Sequence, residues 1–518
     1  MKSLAHIWAL LFWLFCVVIP IVALLSRAMH SSGWNSLWDP NILAISRATV
    51  WQASWSTAIS VILGLPLGLW VGNYLSSGGR GGSWAQAMLA LPFGIPTVVA
   101  GMVWVSWLGR AGILSRLGIH TELAYSLHAV ILAHVFYNAP WIALLVAQAR
   151  AQVPAAEIES ANSLGADGFA RMRFIIWPRV RWALASGAVQ VLSLCAMSFA
   201  LVLLLGGGPP VETLETALFG KIRYGGLDLA GAVSCAFWEL LITFLPWLAL
   251  IAIQSRSRAK TFVAVPPKSA AHSAPQSKVR TTFILAVCAF TVMPYLVFLA
   301  EAHWSLFWSS DFLTQIIEPL ELTLLLAVTS SLTIVITAVA GIIAVDSLSG
   351  RLKSAALALL GLPAGISVLV LGLGFWLAYG RWIDPFEGSF LAMVALQTTL
   401  FFPLAFRSLW PVSQGIQKRL LDAAATLGAS PLRAFMTVEW PRWRAPLLSS
   451  LTIVAGASIG EVAAVSLFYS ERLIPLPLIV TRWMNQYRFE EAQLVAVILL
   501  ILSAGMIASM NIWKNLEN

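Results

Sequence analysis

The residues able to do chemistry are few, and they stand in two kinds of place. Inside long apolar runs lie His134, Asn138, Glu239 and Glu461, with Ser193 and Ser198 as milder company. Polar and ionisable groups at membrane depth are costly, so each marks a pathway or a satisfied packing position. Glu461 has the strongest functional case. It closes the run Ala457-Ser-Ile-Gly-Glu461 at the end of an apolar stretch. The second place is a polar, Arg-rich interruption that occurs twice. Glu159-Ser-Ala-Asn-Ser-Leu-Gly165 runs on to Ile175-Ile-Trp-Pro178, and Asp422-Ala-Ala-Ala-Thr-Leu-Gly428 runs on to Val438-Glu-Trp-Pro441, an offset of 263 residues. Both interruptions are built to be bound; neither carries a nucleophile with a base.

These groups sit in a chain that has to lie in a bilayer. It has 518 residues, 59% hydrophobic and 11% charged, with mean hydropathy +0.82; soluble domains carry about 25% charged residues. The net charge of +9 is spread thinly between apolar spans, which marks topology determinants and not a nucleic-acid surface. Cys16, Cys195, Cys235 and Cys288 all fall inside apolar spans, with no disulfide framework and no metal-binding spacing.

A hydrocarbon core about 30 Å thick needs roughly 20 apolar residues as helix. Such runs predict about 12 transmembrane helices in an all-α polytopic membrane protein. The first half contributes Ile7–Ser26, Trp51–Tyr74, Trp84–Leu108, Leu127–Val146, Trp182–Leu205 and Leu229–Ile253. The second contributes Phe283–Leu299, Leu320–Val345, Ala355–Ala378, Phe390–Phe406, Ala445–Phe468 and Leu494–Trp513. Residues 255–280, rich in Ser, Pro, Ala and basic residues, read as a linker between a first unit, 1–254, and a second, 281–518. The 263-residue offset also sets Pro140 on Pro403 and Ser198 on Glu461. Six spans per unit make the repeats parallel. Most Lys and Arg then fall on the hairpin side, which predicts both termini and both hairpins on the cytoplasmic side.

Each hairpin has readable local physics. Residues 155–164 and 420–427 are Ala- and Leu-rich helix formers. Gly165 and Gly428 sit where a helix ends in the left-handed conformation. Asp167 and Ser430 are N-cap residues for a second short helix, which is expected to stop near Trp177 and Trp440 because Pro178 and Pro441 follow. A compact helix with small residues on its surface suits insertion into a groove, and two copies suit a two-fold partner. A pair of interfacial helices tidying a loop is the plainer alternative. Gly206–Asp228 and Tyr469–Glu491, after the two fifth spans, are expected as external loops of moderate length.

The spacing acid-x-Ala-x3-Gly-x9-Ile/Val-x-hydrophobic-Pro resembles the EAA loop of permeases of ATP-binding-cassette (ABC) importers, and both copies carry it (155–178 and 418–441). The whole chain is similar to two fused permease units of the type I importer fold, as in bacterial thiamine and ferric-iron import permeases. His134-Val-Phe-Tyr-Asn138 and Ser198 to Pro209 look most like the thiamine branch. The resemblance implies coupling elements at Glu159, Ala161, Gly165, Ile175 and Pro178, and at Asp422, Ala424, Gly428, Val438 and Pro441. It also implies an ATPase subunit dimer that holds ATP and Mg, a periplasmic substrate-binding protein, and a translocation path past Ser198, Glu461, His134 and Asn138. Ser160, Trp177, Trp440 and Asp422 depart from the usual pattern. No GxxxxGK[ST] phosphate loop is present, so no cofactor and no catalytic or metal-binding residue is expected on this chain. A ferric-iron permease is the alternative within the family. A secondary transporter driven by an ion gradient shares the duplication but does not predict paired hairpins.

Overall fold

The computed structural model describes residues 2–76, 80–110, 112–119, 123–206, 211–224, 226–256, 278–415 and 418–515. Most of the expected 255–280 linker, residues 257–277, lies outside them. The described residues form an all-α protein in which ten principal helices occur twice in the same order. The first set is α1 (Ser3–Ala28), α2 (Pro40–Ser76), α3 (Arg80–Ala90), α4 (Thr97–Leu108), α5 (Leu127–Ala151), α6 (Ala155–Ser163), α7 (Gly168–Ala196), α8 (Ala200–Gly206), α9 (Leu214–Arg223) and α10 (Leu229–Arg256). The second set begins with α11 (Lys278–Ala300), α12 (Ser310–Asp346), α13 (Gly350–Gly361), α14 (Val368–Tyr379), α15 (Phe390–Gly415) and α16 (Lys418–Thr426). Next comes α17, whose parts run Pro431–Ala434, Phe435–Glu439 and Trp440–Ile459; α18 (Ala463–Ser466), α19 (Leu476–Asn485) and α20 (Phe489–Asn515) complete it.

Among the described residues, eight helices are long and apolar enough to cross a membrane, or ten if each bent pair is one span. The twelve apolar runs are therefore not twelve straight helices. The third run of each half is broken at its middle. Leu91–Gly94 and Leu362–Gly365 are short 3-10 turns, and α13 and α14 meet at 98°. Pro96 in the first half and Ser367 in the second hold extended backbone at the break. The fifth run breaks as well, α7 and α8 meeting at 59°.

The helices are held by close approach as well as by apolar bulk. Association within a bilayer relies on packing, and small residues let backbones come together. Gly64, Gly68 and Gly72 form one stripe of α2 against α5; a Cβ at Gly68 would lie 2.5 Å from the Ala143 carbonyl oxygen. At Gly341 of α12 the nearest atom is a Phe402 ring carbon at 3.4 Å, so the second half packs less tightly there. Both α2 and α12 have 37 residues, about 55 Å at 1.5 Å per residue, so each overshoots the hydrocarbon core.

The first helices are exchanged between halves. α1 lies on α12 and α14, where Trp8 donates to Thr337 Oγ1 at 3.1 Å and Tyr379 donates to the Phe15 carbonyl at 2.8 Å. α11 lies on α3 and α4, with Tyr295 donating to the Tyr137 hydroxyl at 3.0 Å.

Candidate functional site

The two hairpins close with the same hydrogen bonds. In the first, Ala166 N donates to Ala161 O at 2.9 Å and Gly165 N to Asn162 O at 3.0 Å; in the second, Ala429 N donates to Ala424 O at 2.9 Å and Gly428 N to Ala425 O at 2.9 Å. Each is the six-to-one helix ending that needs a left-handed residue, and Gly165 and Gly428 supply it at φ 78° and 77°. Asp167 Oδ1 then accepts from Ala170 N at 2.7 Å, and Ser430 Oγ from Arg433 N at 3.3 Å.

Beyond the caps the chain departs from expectation. The second arm does not stop at Trp177 or Trp440. Met172–Ile176 and Phe435–Glu439 form π-turns that run directly into the fifth spans. Proline clashes with the carbonyl four residues back and lacks a donor; a widened turn re-registers the ladder, so Pro178 and Pro441 sit in the first turn of the following segment. The outer arm of each hairpin is thus rigidly continuous with a membrane helix.

Glu159, Gly165 and Pro178 are exposed, as are Asp422, Gly428 and Pro441, whereas Ala161, Ile175, Ala424 and Val438 are half-buried. At the two tips Leu164 and Leu427 are each 87% exposed. The hairpins differ in their bracing. Arg179 holds both oxygens of Glu157 at 2.7 and 2.8 Å, and Arg171 pairs with Asn162. The Arg179 guanidinium keeps the Glu157 carboxyl below the usual carboxylate range. At the equivalent position the second hairpin has Leu420.

Between the halves lies a cavity of 1440 Å³. Its walls reach the hairpin side at Gln152, Arg179 and Arg407 and end, at mid-depth, where the fifth spans break, at Ser198 and Glu461. His134, Asn138, Ser198 and Glu461 all line it. Their polar atoms are used differently. His134 Nδ1 lies 3.4 Å from Ser56 Oγ, and Asn138 donates to Cys195 Sγ at 3.3 Å. The Cys195 carbonyl, left free where α7 ends, accepts from Gln52 Nε2 at 2.7 Å. The equivalent carbonyl of Ser458 accepts from Gln397 Nε2 at 3.3 Å. Gln52 and Gln397 therefore support the two helix breaks, as orphan backbone acceptors at depth require. Glu461 is the one carboxylate among the described residues that line the cavity, and its Oε1 accepts from Ala463 N and Ala464 N at 2.7 and 3.2 Å.

Behind Glu461 lies Glu215, itself buried. Glu239, fully buried in α10, has no hydrogen-bond partner for either oxygen among the described residues. The segments expected as external loops are instead buried helices at this point. α9 packs on α10, and α19 on α20, with Leu214 and Leu476 fully buried. Leu214 N donates to Thr49 Oγ1 at 3.0 Å, and Leu476 N to Thr323 Oγ1 at 2.8 Å. A signal was present: Thr213 and Thr216 form a capping box, and Leu214, Ala217, Leu218 and Ile222 follow at helical spacing.

Comparison with known proteins agrees with this architecture. The family model described as "Binding-protein-dependent transport system inner membrane component" matches residues 64–255 and again 337–517. The thiamine transport system permease protein of Brucella abortus (strain 2308) is 26% identical over 506 residues, covering 93% of this chain and 91% of the relative. That of Haemophilus influenzae is 26% identical over 491 residues (90% and 88%), and that of Escherichia coli (strain K12) 25% over 502 residues (90% and 89%). Two family matches, one in each half, on a chain of membrane-spanning helices leave one conclusion. The chain belongs to the family of inner membrane components of binding-protein-dependent transport systems, and is a multi-pass transport permease.

Proposed function

We propose that this permease, built of units 1–254 and 281–518, imports thiamine or its phosphates, with ATP and Mg held by a separate dimeric ATPase seated on the two hairpins. A periplasmic binding protein delivers the cargo on the opposite face, and both termini lie in the cytoplasm. The observation that carries the reading is the pair of hairpin tips: identical helix endings, the same left-handed glycine, and Leu164 and Leu427 equally bare. Two like apolar knobs on one side of a fused chain fit a partner with two like grooves.

The relatives' names supply the cargo, and Glu461 is consistent with it. Thiamine carries a fixed positive charge, and Glu461 is the one carboxylate among the described residues that line the cavity. Because α7 and α17 are continuous with the hairpins, a push on the tips moves the cavity walls without an intervening joint. Co-purification of an ATPase with the full chain tests the coupling half of the reading. Gly165→Val with Gly428→Val should abolish it while the chain still inserts; retention of the ATPase would refute coupling through the hairpins. Uptake of labelled thiamine that is unaffected by deleting the chain would refute the cargo.

A further inference from the structure

The geometry points to Arg223 as a latch that holds the outer mouth of the cavity shut by capping the second half's gate helix. Arg223 ends α9 of the first half, yet its guanidinium reaches across to the second. Its Nη2 donates to the carbonyls of Tyr469 at 2.7 Å, Leu467 at 2.8 Å and Pro385 at 3.3 Å. The same group lies 4.1 Å from the centroid of the Tyr469 ring and 5.3 Å from that of Phe386.

Two of those carbonyls, of Leu467 and Tyr469, directly follow α18. The Phe468 carbonyl between them accepts from Ser389 N at 2.9 Å, so three successive carbonyls are taken by partners outside the helix. α18 itself is four residues long and ends at Ser466. Among the described residues the first half shows no such partner: Asn485 stands at the end of α19 where Arg223 ends α9, and α8 runs for seven residues.

α18 borders the cavity at Ala463. Its start is held by Glu461, which lines the cavity, and its end by Arg223. A charge-assisted donor to backbone carbonyls, stacked on an aromatic ring, is a strong tie, and it joins the two halves on the face where they must part to admit cargo. One short helix thus connects a carboxylate on the cavity wall with the residue that holds the gate. This goes beyond transport of a particular solute, and it rests on the proposed orientation only in naming the face as outer.

The test uses the full chain in intact cells and in inverted vesicles, with Gln190→Cys as a reporter on the cavity wall and a membrane-impermeant maleimide as probe. The parent without the added cysteine sets the background. With the latch in place, Gln190→Cys reacts readily from the cytoplasmic side and slowly from outside. Adding Arg223→Ala should speed outside labelling about tenfold, as expected when a strong inter-half contact is removed from a two-state equilibrium. Arg223→Lys, which keeps the charge but loses the planar fork, should fall between the two. Outside labelling at the parent rate in both Arg223 variants, with normal labelling from the cytoplasmic side, overturns the latch. Should Arg223→Ala fail to accumulate, Arg223→Lys and Tyr469→Leu decide: faster outside labelling in either supports the latch, and parent rates in both overturn it. A parent reporter that reacts only from outside would refute the orientation, and the outer latch with it.

Discussion

The two halves share a fold and diverge in charge, and the pattern of divergence separates two jobs. What is repeated faithfully is the hairpin ending, with its glycine, its bare leucine and its π-turn into the fifth span. What is not repeated is the centre: Ser198 and Glu461 stand at matching positions of the two halves and both line the cavity, and Arg223 has Asn485 as its counterpart. Surfaces that meet a two-fold partner have to match. A site that meets one asymmetric cargo has no such constraint, and a single carboxylate suffices to set its charge preference.

The largest expected effect comes from breaking the matched part. A β-branched residue at a left-handed position costs at least the roughly 1–2 kcal/mol of that conformation for any L-residue. Gly165→Val and Gly428→Val together should reduce uptake at least a hundredfold, and each alone should reduce it less, if both hairpins are engaged. Equal loss from one variant and none from the other would show that a single hairpin carries the coupling.

The unmatched centre should respond asymmetrically. Glu461→Ala removes the cavity carboxylate and the two bonds that start α18, so uptake of a cationic solute should fall about tenfold, the scale of one charge-assisted contact. Ser198→Ala should leave uptake within about twofold. Moving the carboxylate, as Ser198→Glu with Glu461→Ser, should restore part of the lost uptake if only its presence in the cavity counts. No recovery would place the weight on the capping of α18.

A smaller contrast lies in packing. Gly68→Ala forces a methyl against the Ala143 carbonyl and should destabilise the chain by about 1–3 kcal/mol. Gly341→Ala meets only ordinary ring contact and should cost less. Thermal unfolding of the two variants in detergent would rank them, and the reverse order would contradict the closer approach of α2 and α5.

The smallest effect concerns bracing. Glu157 is held below the ordinary carboxylate range by Arg179, so its pairing is complete above that range and is lost as pH falls through the depressed value. A spin label at Ser163 should keep its mobility down to the ordinary glutamate value, about pH 4.3, and gain mobility only as pH falls below it. One at Thr426 should change little, since Leu420 replaces the acid there. Glu157→Gln should abolish the difference between the two.

Much of this was legible in the sequence, where the determinants are local. The hairpins could be read because a cap, a glycine and a proline act over four or five residues. The break in the third spans was hidden by averaging: Trp84–Leu108 and Ala355–Ala378 are apolar enough to cross, while Pro92-Phe-Gly-Ile-Pro96 and Pro363-Ala-Gly-Ile366 decide where they bend. α9 and α19 passed for loops because ten residues fall far short of a span, although their apolar faces recur at helical spacing. The hairpin's continuity was missed since proline is a reliable stop only in a regular α-ladder. Arg223 and Gln52 were beyond reach for a different reason. Their partners are backbone carbonyls of distant residues, and no residue type announces that its carbonyl has lost an acceptor's usual partner.

The exchanged first helices have a mechanical corollary. α1 is borne by one half but seated on α12 and α14 of the other, and α11 is seated reciprocally on α3 and α4. The pair is clasped like interlaced fingers, so the halves can rock about each other but cannot drift apart sideways in the bilayer. Severing the peptide between them should leave two fragments that still assemble, the clasp doing what the covalent thread did.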